Sequence, residues 1–228
     1  MTGNPTDGVL SEAWGHYKAH ARHLLVISFA VYAGVAVLTV LLTSVGGTWG
    51  ALIASVISII GLFWVQGALV KAVEDIRDGR ADLSIGDTFQ RVRPKLVPIA
   101  IASTLAGIAI AIGMAAFILP GLLLMTWWSV IVPVIVLEDR GALDSFGRSR
   151  ELVRGWGWQV FGVIVLTILL IIAFGILLGL LLVALPDEVR NFISNVVSGT
   201  LTSPFIALTW TLMYFRLKEA PRAAAGAV

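Results

Sequence analysis

Four long stretches of this chain carry no charged side chain at all: Leu24 to Val70, Leu96 to Leu137, Gly155 to Pro186, and Asn191 to Phe215. A helix that spans a bilayer needs about 20 consecutive apolar residues. The first two stretches are therefore long enough for two helices each and must fold back on themselves. Reversal signals stand inside both: Thr43 to Thr48 contains Gly46 and Gly47, and Leu119-Pro120-Gly121 combines a helix breaker with a permissive glycine. The reading predicts an all-α integral membrane fold of six spans, approximately 23–43, 49–71, 96–119, 121–138, 158–185 and 192–215, in one domain ending near residue 218. The fourth span is short and contains Pro133, which frees a carbonyl near Ser129 that neighbours must satisfy.

Composition closes off the soluble alternative. The chain is 58% hydrophobic and 13% charged, against roughly 45–50% and about 25% in an ordinary soluble domain. With no cysteine there is no disulfide framework, no thiolate nucleophile and no Cys-ligated metal.

Lys and Arg cluster in alternate loops. Lys18 and Arg22 precede the first span; Lys71, Arg77, Arg80, Arg91, Arg93 and Lys95 fall between the second and third. Arg140, Arg148, Arg150 and Arg154 separate the fourth from the fifth, and Arg216, Lys218 and Arg222 follow the sixth. Only Arg190 falls on the other side, so both termini are expected in the cytoplasm of a bacterial cell, with the chain in its inner membrane. The first span is too long and too far from the N-terminus for a cleaved signal. Residues 219–228 read as a flexible cytoplasmic tail.

A short pattern recurs before each odd-numbered span. Glu12-Ala13-Trp14, Asp87-Thr88-Phe89 and Asp144-Ser145-Phe146 each place a base four residues after the aromatic, at Lys18, Arg93 and Arg150. Leu10, Trp14, Tyr17 and Ala21 align with Ile85, Phe89, Val92 and Leu96, a spacing that defines one helical face, and Ala142, Phe146, Ser149 and Val153 keep the register with a weaker one. Each copy reads as an amphipathic helix at the cytoplasmic interface, its aromatic in the acyl boundary and its bases toward anionic head groups. Arg91, Arg93, Lys95, Arg148, Arg150 and Arg154 are the expected head-group contacts. Three units of interfacial helix and hairpin would build a quasi-symmetric bundle; convergence on a common interfacial composition is the alternative to duplication.

No ionisable residue falls at the centre of a predicted span, which argues against a proton relay or ion path. Neutral polar residues do: Ser55, Ser58 and Gln66 on the second span, and Asn195, Ser198, Thr202 and Thr209 on the sixth, where Pro204 predicts a kink. The simpler reading is interhelical hydrogen bonding, worth about 0.6–2 kcal/mol per contact. The functional reading is a polar cavity lined by Ser55, Ser58, Gln66, Asn195, Ser198 and Thr202. His16, His20 and His23 share a face on a continuous helix, yet their rise of roughly 10 Å is too great for one ion. No metal site, cofactor or catalytic residue is expected; nucleophile-elbow, phosphate-loop and zinc-protease motifs are all missing. A charged cluster of Glu138, Asp139 and Arg148 is the one place a lipid-active enzyme could be built. The bases are interleaved with acids beside the membrane, so lipid rather than nucleic acid is the expected phosphate partner.

From Pro120-Gly121 through Pro133 to the acid-rich loop and Arg148-Ser149-Arg150-Glu151-Leu152-Val153-Arg154-Gly155-Trp156, the sequence resembles a known family. This is the six-helix membrane domain attached to some bacterial glycerophosphoryl diester phosphodiesterases, shared by stand-alone bacterial membrane proteins of unknown function. The specific part is about 35 residues. The resemblance implies the six-helix fold and carries over no catalytic residue; unlike the enzyme-linked members, this sequence shows no phosphodiesterase domain. The leading expectation is a non-enzymatic scaffold or accessory protein that engages anionic lipid and a membrane partner, either another protein or a second copy. The alternative is a carrier of a neutral or lipid-like small molecule.

Overall fold

The computed structural model describes residues 4–77 and 84–220, so Arg80, Arg222 and nearly all of the expected tail lie outside the described residues. Every regular element among them is helical. They are α1 (Val9–Ala19), α2 (Ala21–Arg77), α3 (Ile85–Val92), a 3-10 turn (Arg93–Lys95), α4 (Leu96–Ala116), α5 (Ile118–Trp127), α6 (Ile131–Leu137), α7 (Ala142–Val153), α8 (Gly157–Leu181) and α9 (Asp187–Glu219). Among the described residues, five segments are long and apolar enough to cross a membrane: α2, the run of α3 and α4, the run of α5 and α6, α8, and α9.

The first reversal is tighter than the expected Thr43 to Thr48 loop. Helix α2 is broken only at Gly47, whose φ of 49° and ψ of −132° suit a residue without Cβ. Its arms, 21–46 and 48–77, then run back against each other. Gly50 abuts the Leu42 carbonyl, and a Cβ on Gly61 would lie 2.6 Å from Val35 Cγ2.

The second reversal falls at Phe117, in extended conformation, rather than at Leu119-Pro120-Gly121. Pro120 instead occupies the first turn of α5, where a backbone N–H would have no intrahelical acceptor in any case. Gly121 serves close packing: a Cβ on Gly113 would stand 3.0 Å from its backbone nitrogen. Pro133 finds the same solution, because residues 128–130 leave helical geometry and a new helix, α6, begins just before it. The fourth segment is thus two short helices. By contrast α9 continues through Pro204 without a break.

The three recurrent helices each lie on a different segment. α3 packs on α2, α7 on α5 and α6, and α1 on α9 at the far end of the sequence. The last contact closes the ring, since each recurrent helix rests on the returning segment of the unit before it. The residue preceding each aromatic (Ala13, Thr88, Ser145) is fully buried, which explains why that position is small in all three copies. Phe89 and Phe146 do not reach outward; they meet Trp64 and Trp128 edge-on at 5.5 and 4.9 Å. Trp14 remains 51% exposed and stacks on Tyr17.

The main core joins Val9 and Ala13 of α1, Leu69 and Val73 of α2, Val134 of α6, Leu152 of α7, Ile164 of α8 and Leu212 of α9. It sits at one end of the bundle, here called the charged end because Arg77, Lys95, Glu138 and Arg216 gather there. The opposite, reversal end carries Gly47, Phe117 and residues 182–186.

Candidate functional site

At the charged end Glu138, just past α6, receives Arg148 from α7 and Tyr214 from α9. Arg148 Nε donates to Glu138 Oε2 at 2.8 Å and its terminal nitrogen to Oε1 at 3.0 Å, while the Tyr214 hydroxyl donates to Oε1 at 2.9 Å. Arg148 also donates to Glu151 at 2.9 Å, and Lys218 to the Tyr214 oxygen at 3.2 Å. Burial pushes the Glu138 carboxyl up, and the donors from Arg148 and Tyr214 outweigh it, holding the group below the usual carboxylate range. Its hydrogen bond to Glu138 raises Arg148 above the usual guanidinium range against the opposing effect of burial. A carboxylate held ionised, with both oxygens occupied by donors, suits a structural tie and is a poor proton donor. The charged cluster expected from the sequence is therefore present, but Asp139 turns away from it to pair with Lys95.

The expected head-group bases divide into two groups. Arg148 pairs with Glu138 in a half-buried tie and Lys95 pairs with the exposed Asp139, so each of these two bases has a carboxylate partner within the chain. Arg91, Arg93 and Arg154 are exposed, with no ion pair among the described residues; Arg150 is exposed and lies 4.4 Å above the Trp127 ring. Lys18 is exposed at the matching position of α1, 5.8 Å from the Trp14 ring. Each repeat thus presents its equivalent base outward, while in α1 and α7 another residue of the same helix grips its neighbour. Ser149 donates to the Trp127 carbonyl at 2.7 Å, and the equivalent Tyr17 donates to the Leu201 carbonyl at 3.1 Å.

The polar stripe residues do not converge as one cavity. Ser58 and Asn195 line a groove of about 480 Å³ between the arms of α2 and the start of α9, with Tyr32, Thr39, Gly61 and Glu188. Ser198 and Thr202 line a second, more polar recess of about 330 Å³ that shares Tyr32 and Asn195 with the first. Tyr32 forms the partition: its ring fills the space over Gly199 and its hydroxyl meets Ser203 Oγ at 2.8 Å. Ser55 and Gln66 line neither of these grooves, because their positions on the arm carry them past the walls. The hydroxyls and amide mostly bond within their own helix. Ser55 donates to Ala51, Ser58 to Ala54, Thr202 to Ser198 and Asn195 to Asn191, at 2.7–2.9 Å.

The histidines do not lie on one continuous helix, since the chain leaves helical geometry at His20 between α1 and α2. His16 and His20 stack at 6.2 Å, and no group of three metal-ligating side chains occurs among the described residues.

Sequence reasoning missed the tyrosines. The chain has three, and all three hydroxyls make contacts that tie α9 to another element. The available signal was the rule that a buried phenol needs a partner. Compared with family models, curated proteins and solved structures, the chain finds no match.

Proposed function

We propose that this chain is a non-enzymatic scaffold or accessory protein of a bacterial cytoplasmic membrane. It spans six times, both arms of α2 crossing, with α1, α3 and α7 at the cytoplasmic interface and both termini inside. The charged end engages anionic lipid through Arg91, Arg93, Arg150 and Arg154, and the protein works with a membrane partner, another protein or a second copy. Kinship with the six-helix membrane domain of phosphodiesterase-linked and stand-alone bacterial proteins is part of the same proposal.

One observation carries this reading: Lys18 on α1, Arg93 just after α3 and Arg150 on α7 stand exposed at equivalent positions of the three repeats. An exposed base beside an anionic surface contributes about 1 kcal/mol. Replacing Arg91, Arg93, Arg150 and Arg154 together with Gln should lower the retention of phosphatidylglycerol over phosphatidylcholine by about tenfold or more in native mass spectrometry of the full chain. An unchanged ratio would sink the lipid half of the proposal. The same instrument, applied to protein released gently from its own membrane, tests the partner half: a stoichiometric second polypeptide supports it, and a lone chain carrying only lipid removes it. A carrier is less well supported, since the polar side chains that would line its path mostly satisfy themselves on their own helices.

A further inference from the structure

We infer that the groove between the arms of α2 and the start of α9 binds a membrane phospholipid whose head group carries a primary ammonium, with one acyl chain lying along the groove. The inference is independent of lipid engagement at the charged end and takes from the span assignment only the leaflet, which is the outer one.

The groove has the two-part chemistry of an amphiphile site. Its floor is apolar, formed by Val31, Val35, Ala36 and Leu62, and runs past residues 31 to 40, about 13 Å of helix. A chain laid along it would end against Tyr32, which Gly199 and Ser203 hold in place. The volume of about 480 Å³ falls within the range of small-ligand sites, roughly 300–1,000 Å³.

The mouth is polar and one-signed. Glu188 is the only charged residue lining the groove; it is exposed and has no ion pair among the described residues. The nearby base does not neutralise it, because Arg190 pairs with Asp187. Asn195 stands at the other end of the groove, beside the recess it shares with Tyr32, and gives an amide N–H to the Asn191 carbonyl. A head group of net negative charge would offer Glu188 no cation, and a quaternary amine could not donate to the carboxylate oxygens. A primary ammonium, with three N–H donors, matches the Glu188 carboxylate in both charge and hydrogen bonding.

The test uses the full chain in phosphatidylglycerol bilayers containing a trace of phosphatidylethanolamine with a photoreactive acyl chain, the label being mapped by peptide. Label is expected on residues 31–40 and 188–195. Glu188→Gln, an exposed substitution that leaves folding intact, should lower that label about threefold while label at the charged end stays constant. Ala36→Trp should abolish it by filling the floor. Photoreactive phosphatidylglycerol with the same chains should label the groove less than the ethanolamine lipid. Absence of groove label in the unsubstituted chain would overturn the site, and equal labelling by the two lipids or an unchanged Glu188→Gln would overturn the head-group assignment.

Discussion

At the charged end, Leu69, Val73, Leu212 and Tyr214 are at most 2% exposed, and polar ties join α1 to α9 and bring α7 and α9 together on Glu138. At the reversal end, Val45, Trp49, Phe117, Leu119 and Leu181 are 72–89% exposed. The same kind of residue is thus buried in protein at one end and left to lipid at the other. Hydrocarbon solvates Leu as well as another Leu does, so apolar contact between helices gives little drive to associate in a bilayer. Specific association comes from close packing and hydrogen bonds, and these are concentrated where the recurrent helices lie. The charged end fixes the fold, and the reversal end is free to vary.

This contrast should break most sharply at Glu138. Glu138→Ala leaves the Arg148 side chain, only 17% exposed, without its main partner, and should cost about 3 kcal/mol in thermal or urea unfolding in detergent. Acid should reproduce part of that loss. Because the folded-state pKa of Glu138 lies below its unfolded value, its contribution is fully present above the ordinary Glu value of about 4.3 and disappears as pH falls through the folded one. Glu138→Gln should flatten the unfolding midpoint against pH over that window. Next in size is Gly199→Leu, which must displace the Tyr32 ring and should cost about 2 kcal/mol by the same assay. Ser149→Ala removes one hydrogen bond to the Trp127 carbonyl, and a loss of about 1 kcal/mol is expected. Leu181→Ala at the reversal end should change stability by less than about 0.5 kcal/mol. A cost there equal to that of Ser149→Ala would show that both ends hold the bundle together.

The apolar helices were legible because charge-free length and glycine signals are local properties of the chain. The exact reversals were not. Pro120 and Pro133 both mark where a helix has just begun, and which side of a proline the break falls on depends on packing such as Gly113 against Gly121. The repeat was legible as acid, small residue, aromatic and base, but its small member had no stated role until Ala13, Thr88 and Ser145 proved buried. Among the candidate site residues, periodicity placed Ser58, Asn195, Ser198 and Thr202 on shared faces. It could not say that Tyr32 would divide the space they line. Nor could it say that Arg148 and Lys95 would turn inward while Arg150 stayed out, since that depends on which carboxylate comes within reach across the fold.

Helix α1 rests on α9, tied by Tyr17 to the Leu201 carbonyl and by Arg216 to Glu12. Helix α1 therefore lacks the larger part of its binding surface until α9 has been made and inserted. During synthesis its apolar face must wait at the membrane surface, which an amphipathic segment tolerates and a purely apolar one would not. A chain stopped before α9 would leave α1 without its main support, so the arrival of α9 is itself the event that closes the ring.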